Sequence, residues 1–557
     1  FDLRTLAMCM DWTQTKTAGE IEELLIEGLL VSLDDSYKYA AFSGGQSEMQ
    51  VDYRFVHDQV HNAAYTLLND DHRRQNHLRI GRTLLANLPF AERDDRILEI
   101  THHFNQGREL ILDADERLRL IELNIQAGKK ARDASAYEEA LRLFGVAFDA
   151  LPPDAAEKHY DIYMQVHRDL GEINYILNDP KNADKYFSKI LEKAKSPLEK
   201  VRVYELKIAM SAGRGERAEA IRLGLEVLGL LGVKLTASPS ASSVKAELSA
   251  ADKSLSGKNP DRLVDLHLME EESNKAAMRV LMQIATPAFA GNAPLFYSII
   301  ARMIQLSTKH GNAPASAYAY AAYGMILCGD GESERGYRIG RMALDLVEKL
   351  QARDLKCRVY FLYSAGVHHW KQHARESTDY LTHAYQAGLE SGDLEYVAAV
   401  IFLLTASALW VGHKPLKEVL SDFDRFANPL YRTGQKQVIQ LVQMGRQYIS
   451  NLQGGSRNRT RLSGERFHEE ETAEFWKETR YGDGLYYLNL FKTSLADMFG
   501  QYDQALDFAR KAEENGELQK ATLSHPALEL HRGLSAGALA GQPKADRKKL
   551  LETFDAS

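Results

Sequence analysis

The feature that most constrains this 557-residue chain is a spacing of small residues that recurs five times. A small residue lies on one helical segment. Twelve positions later comes an alanine, then an apolar residue, then another small one, at steps of four and three. Gly128 is followed in this way by Tyr137, Ala140, Phe144, Ala147 and Pro152, and Gly171 by Ala183, Phe187 and Ile190. A looser unit carries Ala220, Gly224 and Val227, and a fourth Gly324, Gly336, Gly340 and Ala343. The fifth has Tyr502, Ala505, Ala509 and Ala512. Steps of three and four place residues on one helix face. Small residues there let two helices approach closely, and the larger ones fill the gaps between neighbours.

One such match is weak, but five in one chain predict an all-α, tetratricopeptide-like helical-repeat solenoid. The anchor alanines at 140, 183 and 220 are 43 and 37 residues apart, so the repeat is degenerate against an ideal of about 34. Segments 355–390, 394–412 and 525–541 fit further units without clear anchors. Fourteen prolines, 45% apolar and 26% charged residues are ordinary globular values that suit helix. The predicted organisation is a winged-helix-like domain over 1–70 and a first array over 71–235. A linker follows at 236–260, then a second array over 261–452. An arginine-rich loop over 453–470 and C-terminal repeats over 471–557 complete the chain.

The first seventy residues read differently. FDLRTLAMCM predicts a short helix, and Thr17 with Glu20 has capping-box spacing before an amphipathic helix. GLLVSL and VDYRFV are strand candidates either side of a polar loop, DDSYKYAAFSGGQSEMQ. Helices followed by a β-hairpin form a winged-helix pattern. Residues 1–50 hold three basic residues (Arg4, Lys16, Lys38) against nine acidic ones. Glu20, Glu22, Glu23 and Glu27 on the presumptive recognition helix would be repelled by phosphates. The expectation is a protein-facing element and no DNA binding. The net charge of −8 gives no support for a nucleic-acid or membrane-surface role.

Motifs for chemistry are missing. There is no GxxxxGK[ST] loop, GxSxG, HExxH or kinase signature. Cys9, Cys328 and Cys357 are far apart in sequence, which fits a reducing cytoplasm. No signal peptide and no apolar run of the ~18–20 residues that span a bilayer are read from the sequence. The first residue is not Met and the last four are FDAS, so the chain is expected to be a piece of a longer protein. His57 and His61 in YRFVHDQVHNAAYTLL share a helix face, as in zinc helices, but no third ligand is singled out. The structural alternative has His57 capping the strand-to-helix junction, with Ala63, Ala64 and Leu67 packing inward. The pairs His102–His103 and His368–His369 diverge by about 100° on a helix and read as packing or surface residues. Arg457, Arg459, Arg461 and Arg466 form either an anion patch or a solvated loop. With Gly324 as a helix anchor, Tyr318, Ala321, Met325 and Cys328 share an inner face, with His369 and Trp370 near. That is a groove for a ligand or partner, or ordinary core packing.

The order of an EGLL strand, YRFVHDQVHNAAYTLL, RRQNHLRIGRTLL and ERLRLIELNIQAGKKARDASAYEEAL carries a resemblance. So do KAAMRVLMQIATPAFAGNAPLFYSIIARMIQLSTKHGNAPASAYAYAAYGMILCG and ERGYRIGRMALDL. The chain resembles the region after the nucleotide-binding domain of STAND-type, AAA-like signalling ATPases. The resemblance weakens over 413–470. Many such proteins carry a Ser/Thr-kinase-like domain before the ATPase, and GAF and histidine-kinase domains after the superhelix. The resemblance implies no cofactor in this chain, but ATP or ADP with Mg in the parent. FVHD looks like the family's winged-helix motif. It implies that His57 senses a nucleotide held by the neighbouring ATPase domain, with Asp58 supporting it. It further implies a non-catalytic regulatory region that receives a protein, peptide or small-molecule signal. That signal would pass to the upstream ATPase and a downstream output domain. The alternatives are a docking scaffold and, least supported, a self-contained enzyme.

Overall fold

A computed structural model describes residues 1–33, 51–412, 414–427, 436–541 and 553. The described chain is all-α helical repeat, with two short strands near its start. It falls into two compact units, Phe1–Lys195 and Ser196–Ser557.

In the first unit, glycine decides where helices touch. Ala114–Asp133 packs against Tyr137–Asp149, and Tyr160–Ile176 against Pro180–Lys193. A Cβ added to Gly128 would lie 2.5 Å from Phe144 Cε1, and one on Gly171 would overlap the Phe187 ring. Both rings are fully buried. The missing side chain on one helix is the seat for the aromatic on the next, so two of the five repeat signatures are contacts. Ahead of them, Asp70–Asn87 pairs with Ile97–Gln106, and the three hairpins share a core that includes Leu78, Phe104, Ile121 and Phe144.

The turns supply a regularity that the side-chain spacing hides. Ser135, Asn178, Gly215, Gly331 and Gly500 all have positive φ. Each lies five residues before the anchor residue of its unit (Ala140, Ala183, Ala220, Gly336, Ala505). In each, the next N–H donates to the carbonyl five residues back, for example Ala136 to Ala131 at 2.9 Å and Gln501 to Ala496 at 2.7 Å. These are Schellman closures. Gln351 and Gly392 repeat the geometry, with Ala352 bonded to Val347 and Asp393 to Gly388. The same closure therefore also serves at turns between successive hairpins.

The N-terminal element has Leu3–Met10, Gln14–Ile26 and an antiparallel strand pair, Leu30–Ser32 with Tyr53–Phe55, in which Val31 faces Arg54. The predicted wing loop, 34–50, lies outside the described residues. Leu3, Ile21, Leu30, Val51 and Tyr53 make its small core. The capping box is not formed. Thr13 is the N-cap, accepting from the Lys16 N–H at 3.2 Å, and Thr17 lies inside the helix with its hydroxyl donating to the Thr13 carbonyl. The helix thus begins one turn earlier than the spacing suggested.

In the second unit, consecutive helices stack from Pro197–Gly213 to Ser524–Ala540. The expected linker at 236–260 is instead part of this stack. Ala241–Leu255 buries Val244, Ala251 and Leu255, and packs on Ala293–His310. Its alanine- and leucine-containing stripe outweighs its serine-rich composition. The break between compact units lies at 195/196, inside the predicted first array. The arginine-rich loop is built on a buried frame. Leu462 and Phe467 are buried, and the buried Asn451 donates to the carbonyls of Arg459 and Arg461. One more expectation needs correction. Leu394–Val411 is an 18-residue helix long and apolar enough to cross a membrane. Here it is a core helix, burying eleven residues from Tyr396 to Ala408 against neighbouring helices.

Candidate functional site

The second unit encloses a cavity of about 410 Å³, within the ~300–1,000 Å³ range of ligand sites. Its lining runs from Ala212 near the start of the unit to Thr522 near the end. Arg217 closes the circuit. It follows the turn at Gly215 and donates through Nη1 to the Thr479 carbonyl at 3.1 Å and through Nη2 to Gln437 Oε1. Its guanidinium lies 4.9 Å from the centre of the Tyr481 ring.

Aromatic residues form the walls. Tyr396 and Tyr318 meet through their hydroxyls at 3.4 Å, and the Tyr396 hydroxyl also meets Thr286 Oγ1 at 3.1 Å. Tyr487 donates to Gln519 Oε1 at 3.1 Å, and Gln519 Nε2 donates to Asp483 Oδ1 at 2.9 Å. Burial pushes all of these tyrosines above their usual range.

Two acids line the same space. Glu395 is the single charged residue of the apolar Leu394–Val411 helix. Burial raises its pKa, and the Arg358 charge opposes that. Arg358 itself is engaged by Asp393 at 2.6 Å, and lies over the Tyr396 ring. Asp483 is pushed by burial up to about 6, against the Gln519 hydrogen bond and the Arg217 charge. The cations of the lining have partners. Arg217 is held as above, Arg214 pairs with Glu216 at 3.7 Å, and Lys436 Nζ lies 4.1 Å over the Phe475 ring. Arg214 and Lys436 are exposed, at the mouth. No histidine, cysteine or serine is among the described lining residues. Aromatic walls with two acids and a few fixed polar groups are an arrangement that can hold a ligand.

Of the predicted groove residues, Tyr318 and Met325 line this cavity and Cys328, His369 and Trp370 do not. Cys328 is rotated by about 80° from Tyr318 around its helix, and packs where a Cβ on Gly336 would meet its Sγ. Burial raises its thiol to about 12. His369 is held down to about 4, mainly by burial. Trp370 donates from Nε1 to the Ala521 carbonyl at 2.9 Å. Neighbouring His368 points elsewhere, its Nδ1 2.8 Å from Ser377 Oγ. Sequence reasoning missed Glu395 and Asp483. A lone acid in an otherwise apolar 18-residue helix was the readable signal for the first.

In the first unit His57 occupies the N-cap position of Asp58–Thr66, without a side-chain capping bond, and both His57 and Asp58 are exposed. Ala63, Ala64 and Leu67 do not pack inward. That helix buries nothing, and Leu67 is 87% exposed. His61 lies against Phe55 and Tyr65, with ring centres 5.1 and 6.2 Å away. His77, His102 and His103 cluster, the Nδ1 atoms of His77 and His103 being 2.8 Å apart. Among the described residues no group of three His, Cys, Asp or Glu is placed to hold a metal. Of the four arginines, Arg461 pairs with Glu470 at 2.7 Å and Arg459 lies over Phe499, while Arg457 and Arg466 are exposed.

No protein-family model matches the chain. It is 22% identical over 456 residues to hybrid signal transduction histidine kinase G of Dictyostelium discoideum, covering 72% of this chain. The chain spans 13% of that relative's length. Among solved structures, it is similar to a Rap protein complexed with competence and sporulation factor. That likeness has 13% identity and a TM-score of 0.40, over 72% of this chain and 99% of that one. It is also similar to a signal transduction ATPase with a tetratricopeptide-repeat sensor from Pyrococcus horikoshii. There the identity is 11% and the TM-score 0.37, over 85% of this chain and 61% of that one.

Proposed function

We propose that this chain is a non-catalytic sensor and relay region of a multidomain signal-transduction ATPase or kinase. The observation that carries this reading is the 410 Å³ cavity enclosed by the second repeat unit, walled by aromatics and edged by charge. It is the natural receptor for a peptide, a small molecule or a segment of a protein. The likeness to a hybrid histidine kinase supports the signalling context. The N-terminal element supports a neighbouring domain. Ile26, Leu33 and Leu67 are 77%, 60% and 87% exposed there, apolar surface suited to covering by protein. Exposed Glu20, Glu22, Glu23 and Glu27 disfavour DNA on that element.

In this reading His57, with Asp58 beside it, faces the phosphates of ATP or ADP bound with Mg in the adjoining ATPase domain. An imidazole N–H donating to a phosphate oxygen would couple nucleotide state to docking of the helix–strand element. The test is His57→Ala in the full-length parent. Altered nucleotide retention or basal signalling is the expected result. Unchanged retention and signalling, with partner capture intact in this chain alone, would leave only a docking scaffold.

A further inference from the structure

We propose that the cavity of the second unit takes a ligand carrying a protonated organic amine, anchored on the Glu395 carboxylate within the aromatic wall. This rests on the reading of the second unit as a signal receptor, and it narrows the class of signal.

The asymmetry between acids and bases in the lining leads to it. The lining cations are held in place: Arg217 by hydrogen bonds to the neutral Thr479 carbonyl and Gln437, Arg214 by Glu216, and Lys436 by the Phe475 face. Glu395 has no hydrogen bond; the cation that acts on it most strongly, Arg358, is committed to Asp393, and Arg217 acts on it more weakly. Glu395 is half-buried on the cavity wall, and a carboxylate so placed without a protein donor is left under-compensated. Its place in the first turn of an α-helix offsets part of that cost, but supplies no donor to its oxygens. A ligand ammonium supplies the donor and the charge together. The surrounding rings supply the second half of the recognition. Arg358 and Arg217 already lie over Tyr396 and Tyr481, but Tyr318, Phe361, Phe402 and Tyr487 line the same cavity, and an ammonium over an aromatic face is attracted by the ring quadrupole. Asp483 lines the same cavity and adds a second acid to its interior. The exposed Arg214 and Lys436 at the mouth orient a ligand with its amine inward and any anionic group outward.

Two sources fit this chemistry, a free small amine and the amino terminus of a peptide. Calorimetric titration of the 557-residue chain distinguishes them. The probes are 2-phenylethylamine against 2-phenylethanol, and Phe-Ala-Ala amide with a free against an acetylated amino terminus. At least one amine should bind, with its neutral counterpart at least tenfold weaker. Glu395→Gln should weaken that amine at least tenfold without altering the neutral counterpart. Ala399→Phe fills the cavity with every acid left in place, so it should abolish binding even if Glu395→Gln fails to fold. Preference for 2-phenylethylamine would assign a small amine, and preference for the free peptide a peptide amino terminus. Equal binding of amine and neutral probes, blocked by Ala399→Phe, would overturn the amine while leaving a signal-binding cavity. No binding by either amine, or full affinity in both variants, would overturn the proposal.

Discussion

The two units use one set of repeat rules and bury opposite things with it. Both close their hairpins with the same positive-φ residue and five-residue Schellman bond, at Ser135 and Asn178 in the first and Gly215, Gly331 and Gly500 in the second. In the first unit the unusual polar groups are histidines, packed as His77, His102 and His103 beside Tyr65. In the second they are carboxyls and tyrosines around a cavity. The shared positions specify the scaffold. The positions free to differ specify what each unit can respond to.

The largest expected effect tests whether the units are separate. Phe144→Ala removes the ring seated on Gly128, a change that costs about 3–5 kcal/mol in a packed core. Hydrogen exchange should lose protection in peptides from 70–195 and keep it in 196–541. Equal loss in both would merge the two units into one cooperative body.

Acid should act on Asp483 and on His103 in opposite directions. Asp483 has its pKa raised from an ordinary value near 4 to about 6, first by burial. Between those values Asp483 binds more protons in the folded state than in the unfolded state, so its own contribution to the second unit rises as pH falls from 7 toward 4, while His369, held down to about 4 by burial, contributes in the opposite sense. The Asp483 contribution is on the order of 2–3 kcal/mol, already fully lost above about pH 6. His103 is held down to about 4, first by burial, then by the His77 and His102 charges. There the unfolded state binds the extra proton, so the first unit weakens from pH 6.5 toward 4. Hydrogen exchange, corrected for intrinsic rates and compared with single variants, should show both trends. Asp483→Asn should remove the stabilising part of the second unit's acid response, leaving the loss due to His369, and should leave the first unit's response alone.

These contrasts also show how much was legible. Three of the five anchor sets are seen as contacts: Gly128 on Phe144, Gly171 on Phe187, and Gly324 on the backbone of Gly336 and Gly340. The helices in 355–390 and 394–412 escaped because they carry no small-residue anchor set; Gly388 there is seated on Val397 rather than on an alanine. Their turns, at Gln351 and Gly392, carry the signature in backbone conformation, and glutamine is an unusual residue for it. The cavity was half legible. Tyr318 and Met325 line it, but helix twist takes Cys328 off that face. Asp483 joins the wall only through the curl of the whole unit, which no local spacing encodes. Thr17 and Glu20 showed that a capping spacing is not unique when Thr13 offers an earlier one.

A middle-sized effect probes the anchors directly. Gly324→Ala would place a Cβ 2.8 Å from the Gly336 carbonyl oxygen and 3.0 Å from the Gly340 nitrogen. These are backbone atoms that cannot rotate away, so a loss of about 1–3 kcal/mol is expected. It should appear as a lower urea midpoint for the second unit only. An unchanged midpoint would mean that the Pro314–Gly329 and Ser333–Lys349 helices slide to accommodate it.

The smallest effect has the opposite sign and sharpens the distinction between anchor and filler glycines. Gly145 lies inside Tyr137–Asp149, one residue from Phe144, yet a Cβ built there meets nothing within 4 Å. Alanine at that site removes backbone freedom from the unfolded chain and improves helix propensity. Gly145→Ala should therefore stabilise the first unit by about 0.4–1 kcal/mol, seen as a higher urea midpoint with an unchanged slope. Gly128→Ala, on the facing helix, should lower it, because the Phe144 ring occupies the space. If both substitutions moved the midpoint down, the helix face carrying Gly145 would be covered by another surface in solution. The first unit would then differ from the second in having a partner on its outside rather than a ligand within.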